Sequence, residues 1–172
     1  MRIALNFLDW VSKVLGAFAA VMTVSIAIVI ITEIFARSVF NYSFSFAWEY
    51  SAYAMGIAMF CGMAFTLRTA GHIRVSLLAS ALPKKPAHVV DILCTIAGIF
   101  FSGFISLALC QLAWKSFDSG STSPSVTATP LIIPQGLIAL GAVLLMLQFI
   151  GRLIRLFIGD DPEDTSVSYQ VD

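Results

Sequence analysis

Glu33 and Arg37 stand four residues apart, the spacing that puts a carboxylate and a guanidinium on one face of a helix. Glu33 is the ionisable residue that comes nearest to the interior of a long apolar run. An ionised group at the centre of a membrane helix costs about 2.5–3.5 kcal/mol on insertion scales, so such groups are functional suspects by default. Near the end of the run that cost falls. Three kinds of chemistry are open to Glu33: a structural pair with Arg37 that supports a helix end, a carboxylate that couples to an ion, or a contact with another subunit. The structural pair is the simplest of the three.

Trp48 and Glu49 open a second apolar run. A carboxylate favours a helix N-terminus through the backbone dipole, and an indole favours the membrane–water interface. Neither needs a partner for this, although Glu49 could equally reach Arg37 from the same side of the membrane. His72 and His88 lie together on one connection. Two loop histidines without a Cys or carboxylate cluster make a poor metal site. A membrane haem needs axial ligands inside the spans, where no histidine stands. The chain has no nucleophile–base pairing, phosphate loop or zinc motif. No enzyme activity, metal or cofactor is expected. Cys61, Cys94 and Cys110 all fall inside apolar runs and are expected to be small buried residues, not disulfides.

The elements that must position these residues are unusually apolar. The chain is 59% hydrophobic and 12% charged, with a mean hydropathy of +0.91. Val14–Thr32, Tyr50–Leu67, Ile92–Trp114 and Leu131–Gly151 are runs of 19, 18, 23 and 21 residues without a charge. A helix rises about 1.5 Å per residue and a bilayer core is about 30 Å thick, so each run can cross it. The expected fold is all-α, a single membrane domain over residues 1–158 with spans at about 14–36, 47–67, 89–114 and 131–153. The first run is too long for a signal peptide, and its Ala17-Phe18-Ala19 falls inside the run, so it is expected to be a retained helix.

Positive charge sets the expected orientation. Arg2, Lys13, Arg68, Arg74, Lys84, Lys85, Arg152 and Arg155 fall on the side of the termini, against Arg37 and Lys115 on the other. Positive residues favour the cytoplasmic side, so both termini are expected inside. The formal net charge of zero gives no reason to expect nucleic-acid binding.

Residues 2–13 form an amphipathic unit, with Arg2, Asn6, Asp9 and Lys13 on one side and Ile3, Phe7, Trp10, Val11 and Val14 on the other. This unit either lies in the membrane interface or simply extends the first span. A second interfacial helix is expected on the inner connection, where Ile73, Leu77, Leu78, Ala81 and Leu82 share a face and Pro83 stops the helix. Pro86 suits the start of the next helix. Ser116 to Thr129 has eight Ser or Thr among 14 residues and is expected to be an exposed loop. The acidic stretch 159–172 is expected to be a disordered tail. Small residues recur every four positions at Ala54, Ala58 and Gly62, and again at Gly98, Ser102 and Ser106. Such stripes let helices approach closely, and these could join spans two and three to each other or to another protein.

One set of residues runs through the chain in a fixed order: Glu33, Arg37, Asn41, Trp48-Glu49, Gly62, Gly71-His72-Ile73-Arg74-Val75, and Thr129-Pro130 before the last span. In these the chain resembles the small, DctQ-type membrane subunit of tripartite ATP-independent periplasmic (TRAP) transporters, over nearly its whole length. One departure is Ser76, where the family often carries Asp. The resemblance implies a bacterial inner-membrane protein that pairs with a large multi-span subunit carrying substrate and sodium. A periplasmic binding protein would deliver an organic acid, such as a C4-dicarboxylate or sugar acid, to that pair. The small subunit would enlarge the scaffold against which the transport domain moves. The marked residues would then be partner-interface or structural groups, with membrane lipid as a further partner. Two competitors remain. One is a self-sufficient proton-coupled exporter using Glu33, and the other is a haem- or quinone-anchoring subunit, disfavoured by the lack of intramembrane histidine.

Overall fold

The computed structural model describes residues 2–69, 84–125 and 127–160. The interfacial helix expected over Ile73–Leu82 lies outside these residues. So do His72, Arg74, Ser76 and the tail beyond Asp160. The described chain forms four helices: α1 (Arg2–Phe40), α2 (Ser45–Arg68), α3 (Lys84–Asp118) and α4 (Ile132–Ile158). All four are long and apolar enough to cross a membrane. The fold is all-α, as the apolar runs required.

The helices are longer than the apolar runs inside them. The 39 residues of α1 extend over about 58 Å at about 1.5 Å per residue, well beyond a bilayer core. Residues 2–13 therefore extend the first span as one continuous helix. Ile3, Phe7 and Trp10 are 61–86% exposed, whereas Ser12 is fully buried and Asp9 turns towards the neighbouring helices. The polar side divides, with Asp9 and Ser12 turned inward and Asn6 and Lys13 exposed.

Local signals set the helix ends. Asn41 takes the left-handed conformation (φ 52°) that ends α1, a conformation Asn tolerates better than most residues. Gly159 (φ 76°) ends α4, with its N–H bonded to Arg155 O. Pro86 and Pro134 each stand in the first turn of their helix, where a missing N–H is harmless. The α3–α4 connection is tied by an isolated antiparallel bridge between Thr122 and Pro130.

In space the helices form a row, α1–α2–α4–α3. The pairs α1 with α2, α2 with α4, and α4 with α3 pack along their lengths, and α1 touches α4 over a short stretch. Among the described residues α2 and α3, neighbours in the chain, do not pack together. Lipid is as apolar as leucine, so close packing of surfaces must hold the row together. Gly141 supplies the tightest approach to the backbone of a neighbouring helix. A Cβ placed there would lie 2.7 Å from the Phe60 carbonyl carbon and 2.9 Å from the Cys61 nitrogen. Around it Ala19, Ile57 and Cys61 form a buried cluster joined by Leu15, Phe18, Ala58 and Ile138, which links α1, α2 and α4.

The two small-residue stripes face different neighbours. Gly62 on α2 lies against Ala19 of α1, and Gly98 on α3 lies against the Phe149 ring of α4. Ser102 and Ser106 are buried, and their hydroxyls donate to Gly98 O and Ser102 O one turn back. Spans two and three are thus not joined by these stripes. The cysteine expectation also needs correction: Cys61 is buried, but Cys94 and Cys110 are exposed on α3. Among the described helices α3 packs on α4 alone, and much of its circumference faces outward.

Candidate functional site

The polar side chains gather at the two ends of the helices. At the hairpin end, where α1 joins α2 and α3 joins α4, Glu33 is the centre of one group. It is 4% exposed. One carboxylate oxygen accepts from Arg37 Nη2 at 2.6 Å and from the Ser43 hydroxyl at 2.7 Å. The other accepts from the Phe44 backbone N–H at 2.8 Å. Phe44 is the N-cap of α2 and has no side-chain acceptor for that end of the helix. Glu33 of α1 supplies a carboxylate there, at the positive end of the α2 dipole. The Glu33–Arg37 pair is therefore part of a joint between two helices.

Glu49 is the centre of the second group. It accepts from the Tyr53 hydroxyl one turn further along α2. It also accepts from the hydroxyls of Ser125 and Thr127 in the α3–α4 connection. Tyr50 and Thr129 share a hydrogen bond at 3.2 Å. Glu49 does not engage Arg37, which is occupied with Glu33 and Ser43. The Ser/Thr-rich connection, expected only to be exposed, is tied to α2 by its own hydroxyls. Trp48 remains 69% exposed and Pro130 sits in the bridge with Thr122. Ala54 and Ala58 stand one and two turns deeper on α2 and are half-buried.

The opposite, terminal end carries a network that the sequence reasoning missed. Asp9 of α1 accepts from Arg68 of α2 at 3.1 Å and from Arg155 of α4 at 2.8 Å. Gln148 of α4 is 1% exposed, and its amide donates to Ser12 Oγ at 2.7 Å and to Leu8 O at 3.3 Å. Arg152, 2% exposed, pairs with Asp91 of α3 at 3.4 Å. All four helices are joined by these contacts. Arg152 and Arg155 served above only as orientation charges, and Asp9 only as part of a polar face. The available signal was spacing: Gln148, Arg152 and Arg155 follow one another by four and three residues, a polar stripe along one face of α4.

The arrangement can hold helices and present surfaces. Each carboxylate described above is engaged by donors of the same chain, and the spans between the two ends carry no charge. Such a fold and such clamps define a class: a multi-pass membrane protein whose polar groups fix its own helices in place. The family model for the DctQ component of tripartite ATP-independent periplasmic transporters matches residues 26–159. The chain belongs to that family and is a small membrane subunit of a TRAP transporter. The matched stretch contains the hairpin-end clamps and the polar stripe of α4, while Asp9 and Ser12 precede it. Comparison with curated proteins and with solved structures returned no match.

Proposed function

We propose that this subunit is a non-transporting scaffold that holds a large, substrate-carrying membrane subunit during sodium-driven uptake of an organic acid across the bacterial inner membrane. The observation that carries this is the placement of its polar groups. They are used at the two helix ends to join helices, and the uncharged middle offers nothing for a hydrophilic cargo to bind. A periplasmic binding protein would meet the hairpin end, where Trp48 and Lys115 lie exposed near the tied α3–α4 connection. The exporter alternative needs Glu33 to bind and release a proton facing a pathway. Its occupation by three donors favours the joint role instead.

Two measurements test this. The full chain, tagged and extracted gently from its native membrane, should bring down a much larger multi-span protein. Glu33→Gln should lower thermal stability of the subunit while uptake per assembled complex stays within about twofold, a change worth under 1 kcal/mol. Transport by the purified chain alone, abolished in Glu33→Gln, would overturn the scaffold role.

A further inference from the structure

Between the hairpin-end halves of α1 and α2 lies an open cleft of about 150 Å³, lined chiefly by Ile30, Glu33, Ile34, Arg37, Trp48 and Ser51. Its polarity is graded along α1. Arg37 stands at the rim, three residues from the helix end. Ile30 lies seven residues deeper, about 10 Å at about 1.5 Å per residue. The walls are apolar and open outward: Ile34 is 59% exposed and Trp48 69%.

The rim offers hydrogen-bond donors, because the Arg37–Glu33 pair is neutral as a whole but the guanidinium is only partly used. The Arg37 side chain is 52% exposed. Both of its hydrogen bonds, to Glu33 and to Ser43, use Nη2. Nη1 and Nε thus keep donors for an outside ligand, because a guanidinium carries five N–H groups. Glu33 does not compete, since its carboxylate is occupied from within. The Ser51 hydroxyl supplies a second sign. It is buried and has no hydrogen-bond partner. Other hydroxyls on these helices, such as Thr32 and Thr66, donate to the carbonyl four residues back. A hydroxyl left open beside an apolar cleft is expensive in a membrane unless an acceptor arrives.

A ligand with an anionic head, an acceptor just beneath it and an apolar tail matches this gradient. The cleft runs between two helices of the chain, and one acyl chain can lie along its apolar wall beside Ile30 and Ile34. We propose that the cleft seats one phospholipid of the adjoining leaflet, with its phosphate on Arg37, an ester carbonyl within reach of Ser51 and an acyl chain along Ile30 and Ile34. This site lies outside the scaffold role and stands or falls separately from it.

The test is phospholipid retention by the full chain through detergent purification, read by mass spectrometry of the extracted lipid. Wild type should retain about one tightly held phospholipid per chain at this cleft. Arg37→Gln should lose it several-fold, and so should Ile34→Trp, which fills the cleft without touching a charge. Arg37→Lys should keep most of it. Phosphatidylethanolamine added back to delipidated protein should raise the unfolding temperature of wild type but not of Ile34→Trp. Diacylglycerol or inorganic phosphate alone should leave that temperature unchanged. Equal retention by all variants overturns the site, as does an equal response to diacylglycerol or to inorganic phosphate. A photocrosslinker at position 34 that captures protein instead of lipid in the native complex also overturns it. Circular dichroism identifies a variant that fails to fold, and Ile34→Trp then decides alone.

Discussion

Asp9 holds two guanidinium groups at once, Arg68 at 3.1 Å and Arg155 at 2.8 Å, and so ties the start of α1 to the ends of α2 and α4. Arg155 is only 4% exposed. Removing one member of a buried ion pair leaves its partner charged and uncompensated, which is far worse than never having had the pair. Asp9→Ala is expected to destabilise the subunit by about 3 kcal/mol, the lower end of the range for buried pairs, since Asp9 is itself partly solvated. A double-mutant cycle with Arg155→Ala, read by thermal unfolding in detergent, should show strong coupling, and additive losses would remove Asp9 from this role. Glu33 was legible in the sequence because a carboxylate four residues before an arginine at the end of an apolar run has few alternatives. That it also caps α2 was not legible, because the Phe44 N–H it accepts from belongs to a turn whose path the sequence leaves open. Gln148 was hidden for another reason: runs defined by the absence of charge pass over an uncharged amide, yet this one is among the most buried side chains.

The helices themselves were readable because hydropathy and length act residue by residue. Their partners were not, because contact in lipid depends on the shape of two surfaces together. Gly98 and Gly141 show the difference. At Gly98 an added Cβ meets the ring of Phe149, a side chain that can turn aside. At Gly141 it meets the Phe60 and Cys61 backbone of α2, which cannot. Gly141→Ala is therefore expected to cost about 1–3 kcal/mol, as overpacking of a close contact does, and Gly98→Ala clearly less. Unfolding temperatures in the same detergent would rank the two variants, and the reverse order would refute the close α2–α4 approach. Gly98 belonged to a visible stripe of small residues, whereas Gly141 had no such company. The glycine with the tightest backbone contact was thus the harder one to recognise.

At the scale of the whole molecule, the row α1–α2–α4–α3 leaves both edge helices broadly exposed, with large apolar side chains such as Ile31, Phe35, Phe101 and Phe104 facing outward. A shape of this kind suits a wall against which a partner can stand. The eight-to-two split of positive charge predicts that the hairpin end faces the periplasm. A cysteine introduced at Ser121, after the native cysteines are replaced, should react with a membrane-impermeant thiol reagent in intact cells, and protection there until the membrane is opened would reverse the orientation. By itself the sequence determined the four helices, their capacity to span a membrane and the family, because these follow from local composition and from short motifs in order. Only the tertiary structure decided that α2 lies between α1 and α4, that the α3–α4 connection is held by Glu49, and that Gln148 meets residues about 140 positions away. The physical reason is that apolar helices insert by summed local transfer energy, whereas their neighbours are chosen by a few close approaches and buried polar contacts between distant segments.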